Sequence, residues 1–151
     1  MTNTDLSQGC AYMIDKQLIE KKLRKIEEFL RELKETEVKD LEEFKSNIII
    51  KRFIERNLEL AIEQMVDICR HFVTGMGLRE PETYADCFSI LSESWIIPEA
   101  EVDTFKAMVR FRNILIHIYD TIDDSITYGI YKKHLQDFTA FISVVREFLK
   151  K

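Results

Sequence analysis

Four side chains suited to phosphate chemistry lie in the octapeptide RNILIHIY, residues 112–119. On a helix each residue turns about 100° from the one before it. With Arg112 at zero, Tyr119 falls at about −20°, Asn113 at about 100° and His117 at about 140°. The opposite arc holds the apolar residues Phe111, Ile114, Leu115 and Ile118. The spacing therefore predicts a helix with one apolar half and one half that carries a cation, an amide, an imidazole and a phenol.

Two interpretations of this polar half remain open on spacing alone. In the first, it simply faces water and His117 is satisfied by a carbonyl group, as is usual for such residues. In the second, it acts on RNA. A guanidinium matches the geometry of a phosphate, and an imidazole can take and give a proton near neutral pH. Because RNA supplies its own nucleophile, the ribose 2′-hydroxyl, an acid/base and a cation suffice for cleavage, and no metal is required.

The string Arg-x4-His-x-Tyr, followed by Asp120, resembles the signature of the HepT toxins, a family within the HEPN superfamily of all-helical ribonucleases. Residues 52–63 resemble the family's second helix, and residues 81–91 its short middle segment. Residues 109–113 lead into the signature as they do in the family. The resemblance covers most of the chain from about Asp40 to the end, and the first helix matches in pattern only.

The resemblance implies the toxin of a type II toxin–antitoxin system, a metal-independent ribonuclease that acts on tRNA or mRNA. It implies Arg112 and His117 as catalytic residues, with Asn113 orienting a phosphate or His117. The products would be a 2′,3′-cyclic phosphate and a 5′-hydroxyl. It also implies a homodimer with an active cleft built from both copies, and a cognate nucleotidyltransferase antitoxin of the MntA type. That antitoxin would neutralise the toxin by transferring AMP to Tyr119.

A binding module is the alternative from a different class. In this interpretation the chain is a non-catalytic partner that holds a nucleotide or nucleic acid for a separate small nucleotidyltransferase. The polar half of the helix would then bind phosphate without cleaving it.

Composition agrees with one helical domain over residues 1–151. The chain has 32% charged and 46% hydrophobic residues. Its 4 glycines and 2 prolines are too few turn-forming residues for a many-stranded β fold. It contains no membrane-length apolar run and no signal-peptide core, so we expect a cytoplasmic protein without membrane contact. The cysteines, Cys10, Cys69 and Cys87, show no metal spacing and are expected to be ordinary thiols. We expect no metal and no cofactor.

The net charge of −5 argues mildly against binding to nucleic acid, although phosphate contacts depend on local cations. Four basic residues near the signature in sequence are candidate RNA contacts: Lys106, Arg110, Lys132 and Lys133. Their alternative role is that of solvated helix surface, which is the usual one for such residues.

The apolar periodicity predicts five helices in an all-α fold. The first helix covers about residues 12–35. The second begins after a capping box at Asp40 and Glu43. It ends at Gly75 and Gly77, which suit left-handed caps. The third begins at Pro81 and ends near Ser92. The fourth runs from Pro98 to about residue 118, and the fifth from about residue 126 to the end. Four long helices with short connections predict an antiparallel four-helix bundle with an additional short helix, HEPN-like and homodimeric.

Overall fold

The computed structural model of the chain describes residues 14–117 and 123–151, and all regular secondary structure within these residues is helical. The helices are α1 (Lys16–Glu35), α2 (Leu41–Ser46), α3 (Ile48–Gly75), α4 (Asp86–Glu93), α5 (Glu99–His117), α6 (Asp124–Lys133) and α7 (Leu135–Leu149). The all-α class is confirmed. The predicted number of helices was wrong, because two predicted helices are each divided in two.

The first division lies at Asn47, between α2 and α3. Asn47 is extended, with φ −95° and ψ 94°, and its side chain accepts a hydrogen bond of 3.1 Å from the backbone N–H of Ile50. Asparagine is among the best N-cap residues, so it ends one helix and starts the next. Asp40 caps α2 as predicted, since it accepts from the N–H of Glu43 at 2.9 Å. Gly77 is left-handed with φ 64°, as predicted, whereas Gly75 remains helical.

The second division lies at His134, whose φ of −122° takes the backbone out of the helix between α6 and α7. The predicted third helix also begins later than expected, at Asp86 instead of Pro81. Residues 81–85 form a turn that two side chains stabilise. The hydroxyl of Thr83 accepts a hydrogen bond from the backbone N–H of Asp86, and the carboxylate of Asp86 accepts one from the backbone N–H of Glu82. Such side-chain bonds favour turns over helix.

The four long helices α1, α3, α5 and α7 enclose one core. Lys22 pairs with Asp67, whereas Asn57 donates to Glu32, so α1 and α3 run antiparallel. Three aromatic rings join α4, α5 and α7: the centroids of Phe88, Phe105 and Phe141 lie 5.3–6.0 Å apart, and all three side chains are fully buried. Packing of this kind fixes the positions of the helices that carry the site.

A disulfide corrects the expectation of free thiols for two of the three cysteines. Cys69 on α3 and Cys87 on α4 are fully buried and bonded to each other, with their Cα atoms 6.2 Å apart. The two helices pack against each other, which brings together residues 18 positions apart in the sequence. Their spacing carries no metal or redox signature, so the sequence alone gave no sign of the pair. Cys10 lies outside the described residues.

Within the two described ranges, no helix combines the length and the apolar character that a membrane crossing requires.

Candidate active site

A cleft of about 480 Å³ opens beside the C-terminal half of α5. Arg112, Asn113 and His117 border it from α5, and Arg70 borders it from α3. The remaining wall is formed by residues 80–84 of the loop between α3 and α4. Helix geometry places Arg112 and His117 far apart around α5, yet both reach this cleft, with Asn113 between them. One chain thus brings three of the predicted site residues together.

Arg112 is not a solvated surface arginine. Its side chain is 13% exposed, and one terminal nitrogen lies 3.7 Å from a carboxylate oxygen of Glu63. The other terminal nitrogen donates to Oδ1 of Asn113 at 3.4 Å. Nε of Arg112 is buried without a hydrogen-bond acceptor among the described residues. A buried donor without an acceptor is costly, and with a single carboxylate at 3.7 Å the positive charge of Arg112 is only partly paired.

His117 and Asn113 complete the polar side of α5. His117 lies at the C-terminal end of the described part of α5 and is exposed, so its imidazole is accessible to a substrate in the cleft. Asn113 is half-buried and is fixed by its contact with Arg112. The arrangement can hold a phosphate beside a group able to exchange a proton, as phosphodiester cleavage through the 2′-hydroxyl requires.

The structure adds two residues to the site that the sequence did not indicate as functional. The guanidinium carbon of Arg70 lies 5.7 Å from the ring centroid of Tyr84, and that of Arg112 lies 5.8 Å from the same centroid. Both distances are within the range of cation–π attraction. Arg70 comes from α3 and Tyr84 from the following loop, so no local pattern connects them with the signature. The only available signal was an aromatic residue in a polar segment after Pro81.

The loop that carries Tyr84 is held in place by Arg79. This arginine donates to both oxygens of Asp86, at 3.0 and 3.3 Å, and to both oxygens of Glu93, at 3.1 and 2.9 Å. The hydrogen bonds from Arg79 hold the pKa values of both carboxyl groups below their ordinary range, and the backbone N–H of Glu82 adds to the effect at Asp86. The loop wall of the cleft is therefore tied to α4 at its base.

The four candidate RNA contacts do not border this cleft. Lys106 faces a separate groove that contains Trp95 and Pro98, and Lys132 lines another one near Lys34. Arg110 and Lys133 are exposed on α5 and α6. Tyr119, the predicted site of modification, lies outside the described residues.

Among residues 14–117 and 123–151, no three His, Cys, Asp or Glu side chains are grouped in a way that could hold a metal ion. Asp123 and Asp124 act as a helix cap and as an ion-pair partner. Asp123 caps α6 by accepting from the N–H of Ser125 at 2.9 Å, and Asp124 pairs with Lys51 at 2.9 Å.

Residues 19–145 match the protein family described as Ribonuclease HepT-like. The chain belongs to this family. It is 30% identical over 107 residues to a relative from Shewanella oneidensis named mRNA nuclease HepT, covering 71% of this chain and 80% of the relative. It is 24% identical over 136 residues to a relative from Aphanizomenon flos-aquae named tRNA nuclease HepT, and the match covers 90% of this chain and 92% of the relative.

A solved HepT-like structure gives the same fold. It is a tri-AMPylated Shewanella oneidensis HEPN toxin in complex with an MNT antitoxin, with a TM-score of 0.80 and 26% identity. The match covers 88% of this chain and 99% of the toxin. Membership confirms the family assignment that the signature suggested, and the cleft is bordered by Arg112, Asn113 and His117 of that signature.

Proposed function

We propose that this HepT-like protein is the toxin of a toxin–antitoxin pair and acts as a metal-independent ribonuclease on cellular RNA. The observation that carries the proposal is the cleft that brings Arg112, Asn113 and His117 together. The relatives named as nucleases and the toxin bound to an MNT antitoxin support it. One relative is named for mRNA and the other for tRNA, so the proposal extends to cellular RNA as a class.

In this mechanism Arg112 stabilises the charge that develops on the phosphorane, and Asn113 orients the phosphate or His117. His117 moves a proton at the 2′-hydroxyl or at the leaving 5′-oxygen. The 2′-oxygen attacks the adjacent phosphorus, the P–O5′ bond breaks, and the products are a 2′,3′-cyclic phosphate and a 5′-hydroxyl. Since the substrate supplies the nucleophile, the reaction needs no metal-bound hydroxide.

The test is cleavage of total RNA by the purified protein and by His117→Ala and Arg112→Ala. We expect each substitution to lower the rate about a hundredfold or more, because a proton-transfer group or the phosphorane-stabilising cation is lost. EDTA should have no effect on the wild-type rate. Equal cleavage by the variants, or loss of activity in EDTA, would show that the mechanism is wrong.

Partnership and regulation belong to the same proposal. A cognate MntA-type nucleotidyltransferase would transfer AMP to Tyr119, which helical spacing in the sequence predicts within about 20° of Arg112 around the helix axis. The added phosphodiester charge would pair with Arg112 and repel RNA, and the nucleotide would block the cleft. The toxin is expected to form a homodimer in the cytoplasm, where its RNA substrate lies.

Mass spectrometry after co-expression with the cognate nucleotidyltransferase should find AMP on Tyr119, and the modified protein should no longer cleave RNA. Tyr119→Phe co-expressed in the same way is the control and should remain unmodified and active. AMP found at another residue, or neutralisation of Tyr119→Phe by a catalytically inactive antitoxin, would favour inhibition by complex formation.

A non-catalytic nucleotide-binding partner is the second candidate, because the same cationic cleft suits a phosphate that is held and not cleaved. Growth arrest on expression of this chain alone separates the two. Arrest that disappears in His117→Ala favours the ribonuclease, whereas tight nucleotide binding without arrest favours the binding partner.

A further inference from the structure

The ring of Tyr84 has two arginine side chains beside it, one from α3 and one from α5. We propose that Tyr84 is the platform on which one base of a single-stranded RNA stacks. We further propose that Arg70 binds the phosphate next to the one held by Arg112. This inference rests on the proposed function, because it assigns an RNA-binding subsite to the same cleft.

Tyr84 is suited to stacking because its ring is exposed and the loop that carries it is fixed. Tyr84 is 46% exposed, so part of its large apolar ring surface is left to solvent. The loop that carries it is fixed by the hydrogen bonds from Arg79 to Asp86 and Glu93. An exposed ring on a fixed loop is already ordered for a ligand, which lowers the entropic cost of binding. Bases stack on such rings with little regard to sequence.

The phosphate site at Arg70 is inferred from the carboxylate partners that the other arginines have and that Arg70 lacks. Arg79 and Arg146 each donate to two carboxylates, and Arg112 lies near Glu63. Arg70 is exposed, and within the described ranges no carboxylate oxygen lies within 4.0 Å of its guanidinium. Its guanidinium carbon instead lies 5.7 Å from the ring centroid of Tyr84. A cation without a carboxylate partner at the edge of a cleft is available to a phosphate.

The distances of the two arginines from the ring suggest how a strand would lie. Because both guanidinium carbons lie within 6 Å of the ring centroid, at 5.7 and 5.8 Å, a base stacked on the exposed part of Tyr84 would have its neighbouring phosphates within reach of Arg112 and Arg70. Glu80 and Glu82 border the same cleft and repel phosphate, so the backbone is expected to follow the arginines. A base inside a duplex is not free to stack on a protein ring, which favours single-stranded RNA.

A purely supporting role for Tyr84 predicts something different. The ring could serve only to orient Arg112 through the cation–π contact, in which case it would be a positioning residue. Removing it would then lower the cleavage rate and leave the binding of RNA unchanged.

The experiment measures binding of a fluorescein-labelled, mixed-sequence 2′-O-methyl oligoribonucleotide to the purified protein by fluorescence anisotropy at several salt concentrations. The 2′-O-methyl group removes the nucleophile, so binding is separated from cleavage. The variants are Tyr84→Ala, Tyr84→Phe and Arg70→Gln. The matched control is Arg31→Gln, an exposed arginine of α1 that borders a different groove. Circular dichroism verifies that each variant is folded.

We expect Tyr84→Ala to bind about ten- to a hundredfold more weakly, and Tyr84→Phe, which keeps the ring, to bind as the wild type does. Arg70→Gln should weaken binding and reduce the slope of log affinity against log salt by about 0.7, as expected for one lost phosphate contact on a single strand. Arg31→Gln should change neither quantity. The corresponding double-stranded oligonucleotide should bind more weakly than the single strand.

Wild-type affinity in Tyr84→Ala overturns the stacking platform, whether or not cleavage falls, and an unchanged salt slope in Arg70→Gln overturns the second phosphate site. Different results would contradict the ribonuclease proposal and the RNA-binding subsite. If the wild type binds this oligonucleotide with the expected dependence on Tyr84 and Arg70 but cleaves no RNA, the subsite stands and the nuclease does not. If cleavage depends on His117 while Tyr84→Ala binds and cleaves as the wild type does, the nuclease stands and the subsite does not.

Discussion

Arg112 differs from Arg79 and Arg146 in what its guanidinium contacts. Arg79 and Arg146 are each saturated by two carboxylates, and the hydrogen bonds they donate raise their pKa values. Arg112 has one carboxylate at 3.7 Å, an amide oxygen at 3.4 Å and the ring of Tyr84 at 5.8 Å. It is therefore oriented without being fully neutralised, as a phosphate-binding group needs to be.

Replacing Arg112 by lysine should not preserve activity. An ammonium keeps the charge but lacks the planar fork that matches a phosphate, and it is more strongly hydrated. We expect Arg112→Lys to cleave RNA about tenfold to a hundredfold more slowly than the wild type. Arg56→Lys, on the surface of α3, is the matched control and should keep the wild-type rate. Equal rates for Arg112→Lys and the wild type would mean that charge alone is required at this position.

The part of the site within the signature could be predicted from the sequence, and the rest could not. Arg112, Asn113 and His117 lie within six consecutive residues, so helical geometry alone relates them. Arg70 and Tyr84 come from other elements, and only tertiary packing brings them to the cleft. The lysines chosen for their nearness in sequence, Lys106 and Lys132, face other grooves for the same reason.

Charged contacts join the first and last helices of the bundle. Arg146 of α7 donates to Glu20 and Glu27 of α1, with its shortest bonds at 2.6 and 2.8 Å. These bonds hold the pKa of Glu27 below its ordinary value, against the opposing effect of burial. Since the pKa is lower in the folded protein than in the unfolded chain, the contribution to stability is present at neutral pH. It is lost as the pH falls through the folded-state pKa.

We therefore expect Arg146→Met to lower the free energy of unfolding at pH 7 by about 1 kcal/mol, a small value because these side chains are partly solvated. The difference from the wild type should shrink as the pH is lowered toward 3. Urea unfolding followed by circular dichroism at several pH values measures both effects. Arg56→Met, which removes an exposed pair within α3, should cost less at pH 7. A difference that stays constant with pH would assign the loss to packing of the arginine stem.

Helix boundaries were predictable where a cap had a strong local signal. Asp40 caps α2 as its spacing to Glu43 predicted. Asn47 also caps a helix, but it lies inside a long apolar period, and the periodicity concealed the break. At His134 no side-chain bond caps the start of α7, so the break depends on how α6 and α7 pack and could not be predicted locally.

At the level of the whole molecule, the polar cleft and an exposed apolar side chain lie on the same helix. Ile114 is 42% exposed on α5, between the site residues Asn113 and His117. Contact with a second copy along this helix would bury Ile114, and the proposed homodimer requires that such a contact also bring two clefts together. The single chain already gathers Arg112 and His117, so the contribution of the partner needs a test of its own.

Hybrid dimers provide that test. Arg112→Ala and His117→Ala chains with different affinity tags are co-expressed, and the hybrid is isolated by two successive affinity steps. If each active site takes Arg112 from one copy and His117 from the other, the hybrid contains one intact site and one doubly substituted site. Its cleavage rate per dimer should then be about half that of the wild type, although both parent variants cleave about a hundredfold or more slowly. Doubly tagged wild-type dimers set the reference rate, and sedimentation verifies that the hybrid is dimeric. A dimeric hybrid without activity would mean that each copy contains a complete site, and the composite cleft would be wrong.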